Sequence, residues 1–203
     1  MSRCFQVALL LIGLGFLSAC TTISRQSKIS QLPPDLLAAC QRLQVKPTKF
    51  VMVVNIQRQE FSLYENGRLL ETVPCSTSKY GVGEVKDSRC TPRGLHQVAE
   101  KIGEGLPAGT VFRERQVVGH TSDPKYASAG ITTRILWLDG LEPGFNRGGN
   151  LDTHDRTVYI HGTSDQSVIG KPDSWGCVEL ADKDLIEVFH LVPSGSLVWI
   201  VEQ

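Results

Sequence analysis

The sequence is short of the features that mark most ligand-binding classes. Among its 203 residues there is no internal repeat, no glycine-rich loop of the kind that cradles phosphate, and no cysteine or histidine spacing suited to zinc. Solenoids, phosphate-loop enzymes and structural zinc modules therefore have no support. Neither charge dominates, since 21 Lys and Arg balance 21 Asp and Glu. Without a net field a general polyanion binder is excluded, and no nucleic-acid partner is expected. No metal and no cofactor is expected either. Long apolar runs are missing apart from Val7 to Leu17, which is too short to span a bilayer comfortably. With 41% hydrophobic and 21% charged residues, the remainder has the composition of one folded domain with a single sizeable core.

What is present begins with an address. Arg3 gives a short positive region, the apolar run follows, and small residues precede Cys20. Leu17-Ser18-Ala19-Cys20 resembles a bacterial lipoprotein processing site, which implies cleavage before Cys20 and lipidation of that cysteine. An ordinary signal peptide or an uncleaved anchor is the alternative. The expected division is a signal peptide over residues 1–19, a lipidated N-terminus and tether over 20–48, and the functional domain over 49–203. Each buried lipid methylene contributes roughly 0.8 kcal/mol, so several acyl chains hold a protein on a membrane without a spanning helix. Thr21, rather than Asp, after the cysteine points to the periplasmic face of an outer membrane. The tether contains Pro33-Pro34 and a segment from Leu36 to Leu43 that can form a short helix.

From Lys49 onward the chain reads as mainly β. Lys49 to Ile56 is apolar and β-branched, Glu60 to Tyr64 alternates, Glu65-Asn66-Gly67-Arg68 supplies a hairpin turn, and Leu69 to Ser76 returns. A loop punctuated by glycine and proline runs from Tyr80 to Gly94, and Gly94 to Lys101 alternates again. Ile131 to Leu138, Thr157 to His161 and Leu197 to Val201 are further strands. Only Asp182 to Leu191 has helical periodicity, with Leu185, Ile186, Phe189 and Val188 facing a core and Asp182 placed to cap it. Trp137 and Trp199 are expected in the core, and His96, His120 and His190 as packing or surface residues.

The chemistry concentrates in Tyr159-Ile160-His161-Gly162-Thr163 and Ser174-Trp175-Gly176-Cys177-Val178-Glu179-Leu180. A strand ends in a histidine, and sixteen residues later the chain presents a cysteine, with glycine beside both. A free thiol has a pKa of about 8.5 and is mostly protonated at neutral pH. An imidazole within reach takes its proton during attack. His161 is the candidate base and Cys177 the candidate nucleophile. Amides around Trp175, Gly176 and Gly162 can meet the oxyanion that forms when a carbonyl is attacked. A backbone carbonyl near Gly162, Asp155 or Asp165 can orient the imidazole. Ser174, Glu179, Tyr159, Arg134 and His154 are candidates for lining the substrate path.

These segments, with Ile169-Gly170-Lys171-Pro172 between them, resemble the signature of the L,D-transpeptidase (YkuD-like) catalytic domain. The likeness continues in order through Pro74-Cys75-Ser76-Thr77-Ser78-Lys79-Tyr80-Gly81, Thr91-Pro92-Arg93-Gly94, Thr133 to Gly140 and Arg156 to Thr163, spanning roughly Phe50 to Val201. The resemblance implies a β-sandwich or barrel-like domain with one or two short helices. It also implies a cysteine acyltransferase of the bacterial cell envelope whose partners are peptidoglycan stem peptides or a wall-attached protein. Such an enzyme forms a thioester on Cys177 and passes the acyl group to an amine, giving 3-3 cross-links or protein attachment. Hydrolysis of the thioester, as in an L,D-carboxypeptidase, and a non-catalytic wall-binding lipoprotein are the alternatives.

Two positions depart from the family pattern. Trp175 stands where the family usually has a second histidine, and indole can donate a hydrogen bond but cannot accept a proton. Glu179 stands where Arg or Asn is common, and a carboxylate there raises the thiol pKa and disfavours an anionic substrate group. Cysteine counting adds one expectation: with Cys177 reduced, Cys75 and Cys90 are the pair suited to a disulfide, closing a loop of about 15 residues, with Cys40 spare.

Overall fold

The computed structural model describes residues 32–203, so the expectations placed on the signal peptide and on Cys20 lie outside the described residues. Helix α1 (Pro34–Leu43) precedes strands β1 (Phe50–Asn55), β2 (Glu60–Glu65), β3 (Arg68–Ser76), β4 (Gly94–Ile102), β5 (Thr110–Arg113) and β6 (Gln116–His120). Strands β7 (Thr132–Gly140), β8 (Tyr159–Gly162) and β9 (Val178–Leu180) follow, then helix α2 (Asp182–Leu191) and β10 (Leu197–Val201). The chain is mainly β, as its alternating segments require.

Eight strands form a closed ring in the order β4-β10-β1-β2-β3-β9-β8-β7, shut by pairing of β4 with β7, and the β5–β6 hairpin extends from β7. Closure removes the edges that an open sheet would expose. Alternate residues of a strand face opposite ways. In β1, Phe50, Met52 and Val54 therefore pack inward with Phe61 and Leu63 of β2, while Val51 and Val53 pack outward against Leu36 and Cys40 of α1. Both faces of β1 are covered, which explains its unbroken apolar run. At the β2–β3 turn, Asn66 and Gly67 both have positive φ, 50° and 77°, the signature of the two-residue turn whose twist matches a hairpin.

Helix α1 buries Leu36, Ala39 and Cys40, which lie at i, i+3 and i+4 on one stripe. Its Arg42 also bonds the buried Glu142 carboxylate at 2.7 Å. Residues 32–48, expected as part of a tether, are thus built onto the domain. Helix α2 fills the inner core with Leu185, Val188 and Phe189, and Ile186 is only half-buried because it sits about 100° round the helix from Leu185. Asp182 does not cap this helix. Ala181 occupies the cap position, and the Asp182 carboxylate instead accepts a bond from the Thr133 hydroxyl, tying α2 to β7.

Two further expectations are corrected. Cys75 and Cys90 are both free thiols: Cys75 points into the ring's interior, whereas the Cys90 thiol faces the Tyr80 carbonyl in a surface loop. Trp137 and Trp199 are half-buried, because each lies on the outer face of its strand. His96 is a packing residue, as expected: it is fully buried and held at both ring nitrogens, by the Gly94 carbonyl at 3.0 Å and the Thr153 hydroxyl at 3.1 Å.

Candidate active site

Strands β8 and β9 run parallel with His161 opposite Glu179 and Ile160 opposite Val178. Because side chains alternate, Tyr159 and His161 share a face with Cys177 and Glu179. Cys177 and His161 are then diagonal neighbours across one strand spacing, about 4.8 Å, and two residues of rise, roughly 6.6 Å. They line one cavity together with Glu179, Trp175, Gly130 and Ile131. The Cys177 sulfur accepts the Tyr159 N–H at 3.4 Å and its thiol faces the Thr157 carbonyl at 3.8 Å. Among the described residues, no Cys177–His161 hydrogen bond is made in this resting arrangement.

The imidazole is oriented by a backbone carbonyl. His161 Nδ1 lies 2.8 Å from the Gly162 carbonyl, which can only accept, so Nδ1 carries the proton and Nε2 keeps its lone pair. Of the three candidates for this role, Asp165 instead accepts from Ser167, and Asp155 is exposed on the Asp152 turn. The Gly162 carbonyl is thus the group that orients the His161 imidazole. A side chain at Gly162 would also collide with the Asp182 carboxylate, whose oxygen lies 2.5 Å from where a Cβ would be.

Both Cys177 and His161 are neutral at rest. Burial holds the His161 imidazole down to about 4, opposed only by its bond to Gly162. Burial likewise pushes the Cys177 thiol up to about 12; the Tyr159 amide and Arg156 pull it back, and Glu179 adds to the rise, as its carboxylate was expected to. At rest the cavity thus holds a thiol and a neutral imidazole rather than a thiolate and an imidazolium.

Ser174 shapes the turn that carries Cys177. Its buried hydroxyl donates to the Cys177 carbonyl at 2.6 Å and accepts the Gly176 N–H at 3.3 Å. The Gly176 amide is thereby engaged, and the amides left without a partner among the described residues are those of Trp175 and Cys177. Gly176 has φ of +122°, and a Cβ there would meet the Cys90 carbonyl at 3.3 Å, so this position needs glycine. The loop it touches is clamped by Arg156, which donates to the carbonyls of Gly83, Glu84 and Cys90. Sequence reasoning passed over Arg156, because a lone arginine before a strand carries no pattern.

Two grooves meet at Trp175, whose ring is 60% exposed. One runs past Tyr159 and Cys177 and carries Lys86, Arg89 and Arg156 against Asp87 and Asp155. The other carries Asp165, Asp173 and Glu179. Arg89 and Lys79 lie over the Trp175 ring at 4.2 and 5.5 Å, and Tyr80 meets it edge-on. Of the residues expected to line a substrate path, Tyr159 borders the first groove and Glu179 the second, whereas Arg134 and His154 border neither. Arg134 is buried over Phe189 of α2, turned away by the register shift between Thr132 and Ile135. His154 stacks on Trp137 at 3.9 Å, behind the site.

A neutral thiol and a neutral imidazole share one cavity on a closed β domain, a layout suited to acyl transfer. Comparison with known proteins gives the family. Residues 49–200 match the model of the L,D-transpeptidase catalytic domain, YkuD, and the chain belongs to that family. Two Bacillus subtilis proteins whose names carry a provisional L,D-transpeptidase assignment are similar to it. YkuD is 46% identical over 41 residues, 20% of this chain and 25% of its own. YqjB is 25% identical over 123 residues, 61% of this chain and 58% of its own. Among solved structures, L,D-transpeptidase 3 of Mycobacterium tuberculosis with a faropenem-derived adduct is 14% identical with a TM-score of 0.48, over 76% of this chain and 60% of its own. The chain thus spans less than two thirds of the length of each of these proteins.

Proposed function

We propose that the protein is a peptidoglycan L,D-transpeptidase working through a cysteine thioester. The observation that carries this reading is the parallel β8–β9 register, which sets Cys177 and His161 on one face of one cavity. Cys177 changes its χ1 well to leave the Thr157 carbonyl. Its sulfur then attacks the carbonyl carbon of the donor stem's L-centre while Nε2 of His161 takes the thiol proton. The Trp175 and Cys177 amides are the donors available to the oxyanion. The C–N bond to the terminal D-Ala breaks, and His161 returns the proton to the leaving amine. An amine from a second stem, or from a protein to be attached to the wall, then displaces sulfur.

Incubating the full chain with tetrapeptide muropeptides tests this. Release of D-Ala, a Cys177-linked acyl mass and 3-3 dimers are expected, all abolished by Cys177→Ala. Faropenem, whose adduct the M. tuberculosis protein carries, is a second probe of the same sulfur. Unchanged products in Cys177→Ala would remove the reading. The exposure of Trp175 leaves the site open to water and favours a second reading, in which the thioester is hydrolysed. Tripeptides without dimers would select it.

The reading includes a lipid anchor at Cys20 on the periplasmic face of an outer membrane, supported by Leu17-Ser18-Ala19-Cys20. Incorporation of labelled palmitate, lost in Cys20→Ser, tests that part. No helix among the described residues is long and apolar enough to cross a membrane.

A further inference from the structure

We infer that the groove carrying Asp165, Asp173 and Glu179 is a subsite for a cationic amine, and that Glu179 selects an ammonium-bearing acyl acceptor over neutral nucleophiles. The inference rests on the transpeptidase reading and names the acceptor's chemistry. Its starting point is a carboxylate with too few partners. Glu179 is 8% exposed, and its Oε2 has no hydrogen-bond partner among the described residues. It lines both the cavity with Cys177 and the groove leading away from it. A buried carboxylate left unpaired is costly, so an opposite charge that reaches it is bound strongly.

The surroundings define the ligand's sign. Glu179 faces neutral His161 across the β8–β9 pair and Ser76 across the β3–β9 pair. Ser76 beside it favours the charged carboxylate, while Asp173 and Asp165 sit on the groove side and Lys79 lies nearby. Lys79 itself leans over the Trp175 ring and is exposed. Among the residues lining this groove three are acidic and none is Lys or Arg, whereas the opposite groove carries three cations. A donor stem's carboxylates suit the cationic side. An acceptor presenting an ammonium suits the acidic side, and enters next to the thioester carbonyl.

The second half-reaction then balances as follows. The ammonium releases one proton to water or to a groove carboxylate, giving the free amine. Its nitrogen attacks the thioester carbon, the new C–N bond forms and the C–S bond breaks. The amine's second proton passes through His161 to the departing sulfur, restoring the thiol.

Burial and the two aspartates raise the Glu179 carboxyl to about 7, with Ser76 and Lys79 opposing them. The carboxylate is thus filled below that pH and charged above it, and the preference should grow as pH rises from about 6 to about 8.

The test forms the acyl-enzyme on the full chain with a tetrapeptide donor. It is then partitioned between lysine amide, which is cationic, and methoxyamine, which is neutral at these pH values. The product ratio does not depend on how much acyl-enzyme forms. Glu179→Gln should lower the ratio of lysine amide to methoxyamine product at least tenfold at pH 8 and by less at pH 6, so the quotient of wild type over variant, in which the ordinary deprotonation of the amine cancels, should grow across that range. Should that variant not fold, Asp165→Asn with Asp173→Asn, both exposed, should lower the ratio at least twofold. A ratio and profile unchanged in the variants that fold would overturn the subsite while leaving the transpeptidase standing. A wild type that never forms acyl-enzyme ends both.

Discussion

The two buried histidines, His96 on β4 and His161 on β8, are near twins in every local respect except one. Each is on a strand, each is almost wholly buried, each has Nδ1 on a neighbouring carbonyl, and burial holds each down to about 4. The difference is at Nε2. In His96 it is bonded to Thr153 inside a closed network with Asn146. In His161 it has no protein partner among the described residues, and the ring borders the cavity that holds Cys177. A perturbed titration therefore does not distinguish a base from a structural imidazole, whereas an uncommitted lone pair facing a cavity does.

Exchanging each histidine breaks the comparison most sharply. His161→Gln should slow acylation of Cys177 by a factor of roughly 10² to 10⁴, the usual worth of a positioned base. His96→Gln should keep acylation within about threefold, yet lose about 1–3 kcal/mol of stability from unsatisfied buried partners. Formation of the Cys177 acyl-enzyme from a tetrapeptide muropeptide, followed by mass, beside urea melts, separates the two. Equal effects on rate would mean that His161 is structural too.

The next effect concerns pH, where the twins should behave alike in stability and differ in rate. A histidine whose folded pKa is lowered favours the unfolded state as it protonates. Its contribution is fully present above the unfolded value of about 6.5 and is lost as pH falls toward about 4. Each histidine can remove up to about 3 kcal/mol across that window, and replacing either one should flatten the pH dependence of stability by about half. Acylation should show no inflection near 6.5 and should fall only as pH approaches about 4, because His161 alone must stay neutral for catalysis. A rate profile with its acid limb near 6.5 would show that substrate binding or opening of the site has relieved the burial.

Thr153→Val gives a smaller effect. It removes the Thr153 hydroxyl from Nε2 of His96, leaving only the longer Asn146 contact at 3.4 Å, and should cost about 1 kcal/mol in urea melts. It should leave acylation unchanged, because no cavity with a nucleophile lies against that ring.

The sequence carried the strands whose alternation is long enough to read, such as β1, β2 and β4, and the stripe of α2. It did not carry β9, since Val178-Glu179-Leu180 is too short to show a period and is a strand only because β3 and β8 flank it. The β5–β6 hairpin escaped because its turn places Glu114 and Arg115 at positive φ, 49° and 67°, without the Asn or Gly that signals such turns. In the site, Cys177 and His161 were legible through a motif resemblance. The rejection of Arg134 follows from a register shift in β7, and the orphaned Glu179 oxygen from burial by three strands. Both are tertiary facts with no local signature.

The smallest effect falls on the thiols, which repeat the histidine contrast. Cys75 and Cys177 are both pushed up to about 12 by burial, but Cys75 is sealed in the ring's core, whereas Cys177 borders the cavities. Cys75 lies in the ring's core and the Cys90 thiol rests on the Tyr80 carbonyl in a surface loop, and no disulfide joins them. Adding dithiothreitol should therefore leave the thermal midpoint of the full chain unchanged within about 1 °C, where loss of a disulfide would cost about 2–5 kcal/mol. Prolonged iodoacetamide treatment of the native protein should label Cys177 and spare Cys75, which should react only after unfolding. Labelling of Cys75 at the rate of Cys177 would mean that the ring opens at β3–β9, the pairing that rests on only two residue pairs.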